Sequence, residues 1–115
     1  AWSENDKWID VSYLVGDNST QGKGVATLSV GAAMKYLFDE KGYNRIQAEC
    51  AVENYSSLRV MEKLGMQKEG VLCQKLYLPD EDRFTDEIIY ATTREKWKVP
   101  FAAIMNIAVL PMRWE

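Results

Sequence analysis

Histidine is absent from this 115-residue chain. Its absence removes the commonest general base, the Ser-His and Cys-His nucleophile pairs, and the usual zinc ligand set. Any chemistry must then use carboxylates, hydroxyls, cysteine or main-chain groups, and no metal site is expected. Cysteine is scarce. Cys50 and Cys73 stand alone in apolar, strand-like runs, with neither a C-x-x-C pair nor a disulfide framework. The expectation is two buried thiols in a reducing cytoplasm. Long apolar runs are also missing. The C-terminal apolar stretch is interrupted by Pro100, Asn106 and Pro111, too short and broken to span a membrane, and no signal-peptide pattern is read. Positive charge is in deficit, with a net charge of −3 and a pI near 5.0. A phosphate-tracking protein usually carries a basic face, so the balance argues against nucleic acid and fits cationic small molecules better.

What is present suffices for one small globular domain, with 47% apolar and 27% charged residues. In WIDVSYLV, residues 8 to 15, Ile9, Val11, Tyr13 and Val15 alternate with Trp8, Asp10, Ser12 and Leu14, which is strand periodicity. A polar stretch with glycines follows. From Val25 to Lys41 the residues Val25, Leu28, Ala32, Ala33, Tyr36 and Leu37 recur at helical spacing, and Gly42 sits where a C-terminal cap belongs. Arg45 to Cys50 reads as a strand with Ile46, Ala48 and Cys50 on one side. Glu53-Asn54-Tyr55-Ser56-Ser57 starts a second helix, with Leu58, Met61 and Leu64 three apart and a closing Gly65. The β-α-β-α order predicts parallel pairing of the first two strands. Two alternating stretches, Met66 to Leu78 and Phe84 to Thr93, are joined by Pro79-Asp80-Glu81-Asp82-Arg83 and predict a long antiparallel hairpin. Residues 1–97 are read as the domain and 98–115 as an apolar tail that docks or meets a partner.

Glycines placed before a helix have a physical use. The first turn of a helix has main-chain N–H groups without internal partners, and a glycine approach lets a phosphate reach them. Gln21-Gly22-Lys23-Gly24-Val25-Ala26-Thr27 therefore reads as an anion seat. This run matches the Q/R-x-x-G-x-G/A pattern of the GNAT N-acetyltransferases. Downstream, YNRIQAECAVENYSSLRVMEKLGMQKEGVL resembles the N-R-I-x-A strand, the N-x-x-S helix start and the E-K-L-G-F-x-x-E-G turn of the branch that acetylates ribosomal-protein N-termini. The resemblance covers residues 8 to about 97 and implies an α/β (α+β) fold with a mixed sheet, order β-α-β-α-β-β, truncated at the N-terminus.

The resemblance implies acetyl-CoA as cofactor, its pyrophosphate held by the amides of Gln21, Gly22, Lys23, Gly24, Val25, Ala26 and Thr27. It further implies that the first strand splays near its end, with the pantetheine arm bonded to main chain near Leu14 and Val15, and that Asn54 touches the pantetheine side with Ser57 beside it. The alternative for both residues is a helix cap. The implied reaction is direct transfer of acetyl to a primary amine: a protein N-terminus, a polyamine or an aminoglycoside-like compound. Asp10 is the expected base, against the alternative of a solvated strand residue. Relatives often use a tyrosine as the acid, in Y-x-K-L-G; Met61 stands there. Ser57 is the nearest remaining hydroxyl, while Tyr55 or water could serve. Cys73 is read as packing.

Relatives begin with further strands and helices ahead of the equivalent of Trp8. A fragment, a short member completed by a second subunit and a degenerate copy that only binds acyl-CoA are the competing explanations. An unpaired edge on the Trp8 strand predicts self-association, as a dimer. A Rossmann-like nucleotide binder is the blander reading, opposed by the missing G-x-G-x-x-G pattern.

Overall fold

The computed structural model describes residues 1–18 and 25–97. Residues 19–24, among them Gln21, Gly22, Lys23 and Gly24, the side chains of Asp17, Asn18, Val25 and Ala26, and the tail 98–115 lie outside what is described. Eight elements follow one another: β1 (Trp2–Ser3), β2 (Trp8–Asp10), α1 (Ser12–Asn18), α2 (Val25–Asp39), β3 (Arg45–Ala51), α3 (Tyr55–Lys63), β4 (Gln67–Leu78) and β5 (Arg83–Thr93). They form a mixed α/β architecture around a five-stranded sheet of order β1-β2-β3-β5-β4.

The middle of the chain folds as its periodicity predicts. β2 and β3 are parallel, with Trp8 opposite Arg45 and Asp10 opposite Gln47, and α2 crosses between them. Alternation along β3 buries Ile46, Ala48 and Cys50 and turns Arg45, Gln47 and Glu49 to the other face. The helices end where glycine permits a left-handed residue, at Gly42 (φ 74°) and Gly65 (φ 80°). β4 and β5 form the long antiparallel hairpin, with two irregularities on β4, between Lys68 and Gly70 and between Leu72 and Leu76. At the second, Cys73 to Lys75 face a shortened stretch of β5. Gln74 adopts φ 50° there, and its N–H donates to Asp86 Oδ1 at 2.8 Å.

Four expectations need correction. Residues 11–15 do not extend β2. The chain turns at Val11 into α1, and Val11 and Val15 are buried one turn apart, joined by Val15 N–H to the Val11 carbonyl at 3.0 Å. Val11, Leu14 and Val15 satisfy helical spacing as well as alternation, and burial against α2 and β3 selects the helix. Tyr13, expected on the Ile9–Val11 face, is accordingly exposed. Nor is β2 an open edge. β1 pairs with it, Trp2 opposite Ile9, and Ala1 accepts the Asp10 N–H at 2.9 Å, so the edge that predicted self-association is covered.

The third correction concerns α2, which has its predicted span but a rotated inner face. Thr27, Val30, Met34 and Phe38 are buried, while Tyr36 is half exposed and Ala32 faces out. The helix is apolar nearly all round, so the bulkiest chains decide. Burying Met34 or Phe38 stabilises by about 1.5–3 kcal/mol each, far more than an alanine could. The fourth correction is Cys73, which is exposed in the irregular part of β4; Cys50 is the buried thiol.

The core fills the space between one sheet face and the helices: Val11 and Val15 from α1, Val30, Met34 and Phe38 from α2, Val60, Met61 and Leu64 around α3, against Ile46, Ala48, Cys50 and Tyr90. Trp97 closes one end, its ring 5.3 Å from Phe38 and its indole N–H donating to the Leu64 carbonyl at 2.8 Å.

Candidate functional site

Helix α2 links two parallel strands, so it runs back against them and its head lies at their C-terminal ends. α3 begins directly after β3, placing a second helix start at the same end. Ligands in such sheets bind outside the strands' carboxyl ends. No acidic side chain stands in the first turn of α2 or α3. Their aligned dipoles are thus left to attract an incoming anion.

Between β2 and β3 the ladder stops early. The last main-chain bond runs from Val11 N–H to the Gln47 carbonyl at 2.8 Å, yet β3 continues to Ala51. The next β3 donor, Glu49 N–H, is accepted at 2.7 Å by the Ser12 hydroxyl rather than by a strand carbonyl. Ser12 in turn donates its hydroxyl and its N–H to Asp10 Oδ1, the latter at 2.7 Å, and Gln47 Nε2 donates to Asp10 Oδ2 at 3.2 Å. The result is a notch where β2 leaves β3. The resemblance implied a strand that splays near its end; here β2 instead stops at Asp10 and the chain turns into α1. Leu14 and Val15 therefore lie on a helix, with Val15 buried, and not on the open strand end on which their expected role rested.

Asn54 is the N-cap of α3, its side-chain oxygen accepting Ser57 N–H at 3.2 Å. Ser57 is 1% exposed, whereas Tyr55, in the same first turn, is 71% exposed. The cap reading thus holds for Asn54, whereas Ser57 enters it only through its main-chain N–H.

On the sheet face away from the core, β2, β3 and β5 bring Asp10, Glu49 and Glu87 together, and the β4 irregularity swings Lys75 over them. Lys75 Nζ is 2.5 Å from Glu49 and 3.8 Å from Glu87. Burial pushes the Glu87 carboxyl up from its ordinary value, and so do a hydrogen bond with Glu49 and the negative charges of Glu49 and Asp10; Lys75 opposes them. Among the described residues no group of three His, Cys, Asp or Glu could hold a metal. Burial, and then the nearby charge of Glu87, raises the Cys50 thiol to about 11, leaving it protonated and unreactive at neutral pH.

Sequence reasoning found the two helix starts and Asp10 but missed Ser12, Glu49, Glu87 and Lys75. Alternation along R-I-Q-A-E-C-A could have put Glu49 on the polar face beside Asp10. Nothing local announces Lys75, whose position depends on the irregularity in β4.

Comparison with known proteins bears on the same segments. The acetyltransferase (GNAT) domain family matches residues 1–67. The uncharacterized N-acetyltransferase YnaD of Bacillus subtilis is 40% identical over 77 residues, 67% of this chain and 44% of that protein. The ribosomal protein uS5-alanine N-acetyltransferase of Escherichia coli is 30% identical over 87 residues, 76% of this chain and 43% of its own length. Among solved structures, Mycobacterium smegmatis RimJ in complex with CoA-disulfide superposes with a TM-score of 0.65 at 26% identity, covering 77% of this chain and 42% of that one. The chain spans less than half the length of these relatives. It belongs to the GNAT acetyltransferase family.

Proposed function

We propose that the protein works as an acetyl-CoA-dependent N-acetyltransferase that transfers acetyl directly to a primary amine. The observation that carries this reading is the early end of β2–β3 pairing beside the heads of α2 and α3, in a chain of the GNAT family. The relatives are N-acetyltransferases, and the binding-only alternative has no support from them.

In this reading the coenzyme diphosphate sits on the amides of residues 21–27, Gln21 through Thr27, and the pantetheine arm enters the notch alongside β3, with Asn54 at its side. The neutral amine nitrogen attacks the thioester carbonyl carbon, the C–S bond breaks, the amine proton passes to a carboxylate, and the thiolate takes a proton from the enzyme. Glu87 is the proton acceptor. Its raised carboxyl lies closer to the working range than an ordinary glutamate, as acid–base transfer near neutrality requires. Asp10, the acceptor expected from sequence, already receives three hydrogen bonds. Tyr55, exposed in the first turn of α3, is the proton donor to the thiolate, in place of Ser57, which the sequence suggested and which is enclosed. The acidic balance of the chain suits a cationic acceptor, whether a protein N-terminus, a polyamine or an aminoglycoside-like amine.

A thiol-release assay across a panel of such amines tests the proposal. Turnover is expected with at least one amine, and Glu87→Gln should lower kcat about 10²- to 10⁴-fold, the usual contribution of a positioned base. Cofactor binding without turnover on any amine would contradict it.

A further inference from the structure

We infer that Asp10 and Ser12 form a clamp that ends the β2–β3 ladder and keeps the notch open, making both positioning residues for the coenzyme arm. The inference rests on the acetyltransferase reading and deepens it.

A parallel ladder offers each donor on the inner edge of β3 a carbonyl of β2. After Gln47 that supply stops, because the chain leaves the sheet at Val11. Glu49 N–H would then lack a partner in a part-buried place, at a cost of about 1–3 kcal/mol. The Ser12 hydroxyl removes that cost by doing two things at once. It accepts Glu49 N–H at 2.7 Å and donates its own proton to Asp10 Oδ1. Only a hydroxyl can both accept from the amide and donate to the carboxylate here, since alanine has neither function. Asp10 fixes that orientation. Its Oδ1 also takes Ser12 N–H at 2.7 Å, which starts α1, and its Oδ2 takes Gln47 Nε2 at 3.2 Å, which ties the turn back to β3. The strand is thus released at one defined residue, and the Ser12 hydroxyl takes the place of the next β2 carbonyl.

The consequence for Asp10 is specific. Three of the roughly four acceptor positions of its carboxylate are taken within the protein. A clamp and a base respond differently to substitution. Asp10→Asn keeps an oxygen that can accept from Ser12 but abolishes a base; Ser12→Ala does the reverse.

The experiment combines hydrogen exchange of the Glu49 amide, calorimetric titration with acetyl-CoA, and steady-state kinetics on the parent protein, Asp10→Asn, Ser12→Ala and Ser12→Thr. Ser12→Ala should speed Glu49 exchange and weaken acetyl-CoA binding by about tenfold, the worth of one hydrogen bond, with a smaller change in kcat. Ser12→Thr should restore both, and Asp10→Asn should keep kcat within about tenfold. A kcat loss of about a hundredfold or more in Asp10→Asn at unchanged acetyl-CoA affinity would identify a base instead and overturn the inference. Unchanged exchange and affinity in Ser12→Ala would overturn it too. If the parent protein binds no acetyl-CoA, the functional reading and the clamp's role in it fall together, while Glu49 exchange still decides whether the clamp exists.

Discussion

At the scale of single residues, environment separates groups that look alike in sequence. Cys50 and Cys73 both sit in apolar runs, but Cys50 is enclosed with its thiol raised to about 11, and Cys73 is open to solvent. A disulfide reagent at about pH 8 should therefore modify Cys73 promptly and Cys50 only on unfolding. Equal rates would contradict the burial of Cys50. Glu87 provides a second case. Its carboxyl is raised by burial first, then by its bond to Glu49, so the folded state holds the proton more tightly than the unfolded chain does. The resulting stabilisation is full below the ordinary carboxylate value and is lost as pH rises through the raised one. Thermal melts between about pH 4 and pH 7 should show that decline in the parent protein and a flatter profile in Glu87→Gln. Identical profiles would mean that Glu87 titrates normally.

At the scale of elements, α2 carries the most direct stability test. Met34 is fully buried and Tyr36 half exposed, the reverse of the stripe that the sequence suggests. Met34→Ala should cost about 2–5 kcal/mol, the range for emptying a packed core position, while Tyr36→Ala should cost well under that. Denaturant melts would measure both, and a larger loss from Tyr36→Ala would restore the stripe read from sequence. The contrast shows what was legible. Helix spans, their glycine ends, the alternation of β3 and the hairpin are local signals, and each is found in place. The α1 turn was not, because Val11, Leu14 and Val15 fit both periods and only packing against α2 and β3 decides between them. β1 was invisible for a related reason: two residues carry no period. In the site, the helix starts and Asp10 were readable, whereas Glu87 depends on which strand neighbours β3, and Lys75 on an irregular register.

At the scale of the whole molecule, the sheet and helices converge on one end. Parallel β2 and β3 deliver the heads of α2 and α3 to the same rim, and antiparallel β5 and β4 bring Glu87 and Lys75 onto the adjoining face. The outer strands are β1 and β4. β4 is interrupted twice and bears Lys68 and Lys75, features that discourage edge-to-edge pairing, and no helix among the described residues is long and apolar enough to cross a membrane. The central claim is that main-chain donors heading α2 grip a diphosphate and so present a thioester at the notch. Calorimetric titration with coenzyme A and, separately, with pantetheine, which lacks the diphosphate, tests it most directly. The account predicts saturable binding of coenzyme A and a loss of about a hundredfold or more in affinity for pantetheine, since several charge-assisted bonds disappear. Equal affinity for the two, or no binding of coenzyme A, would contradict it.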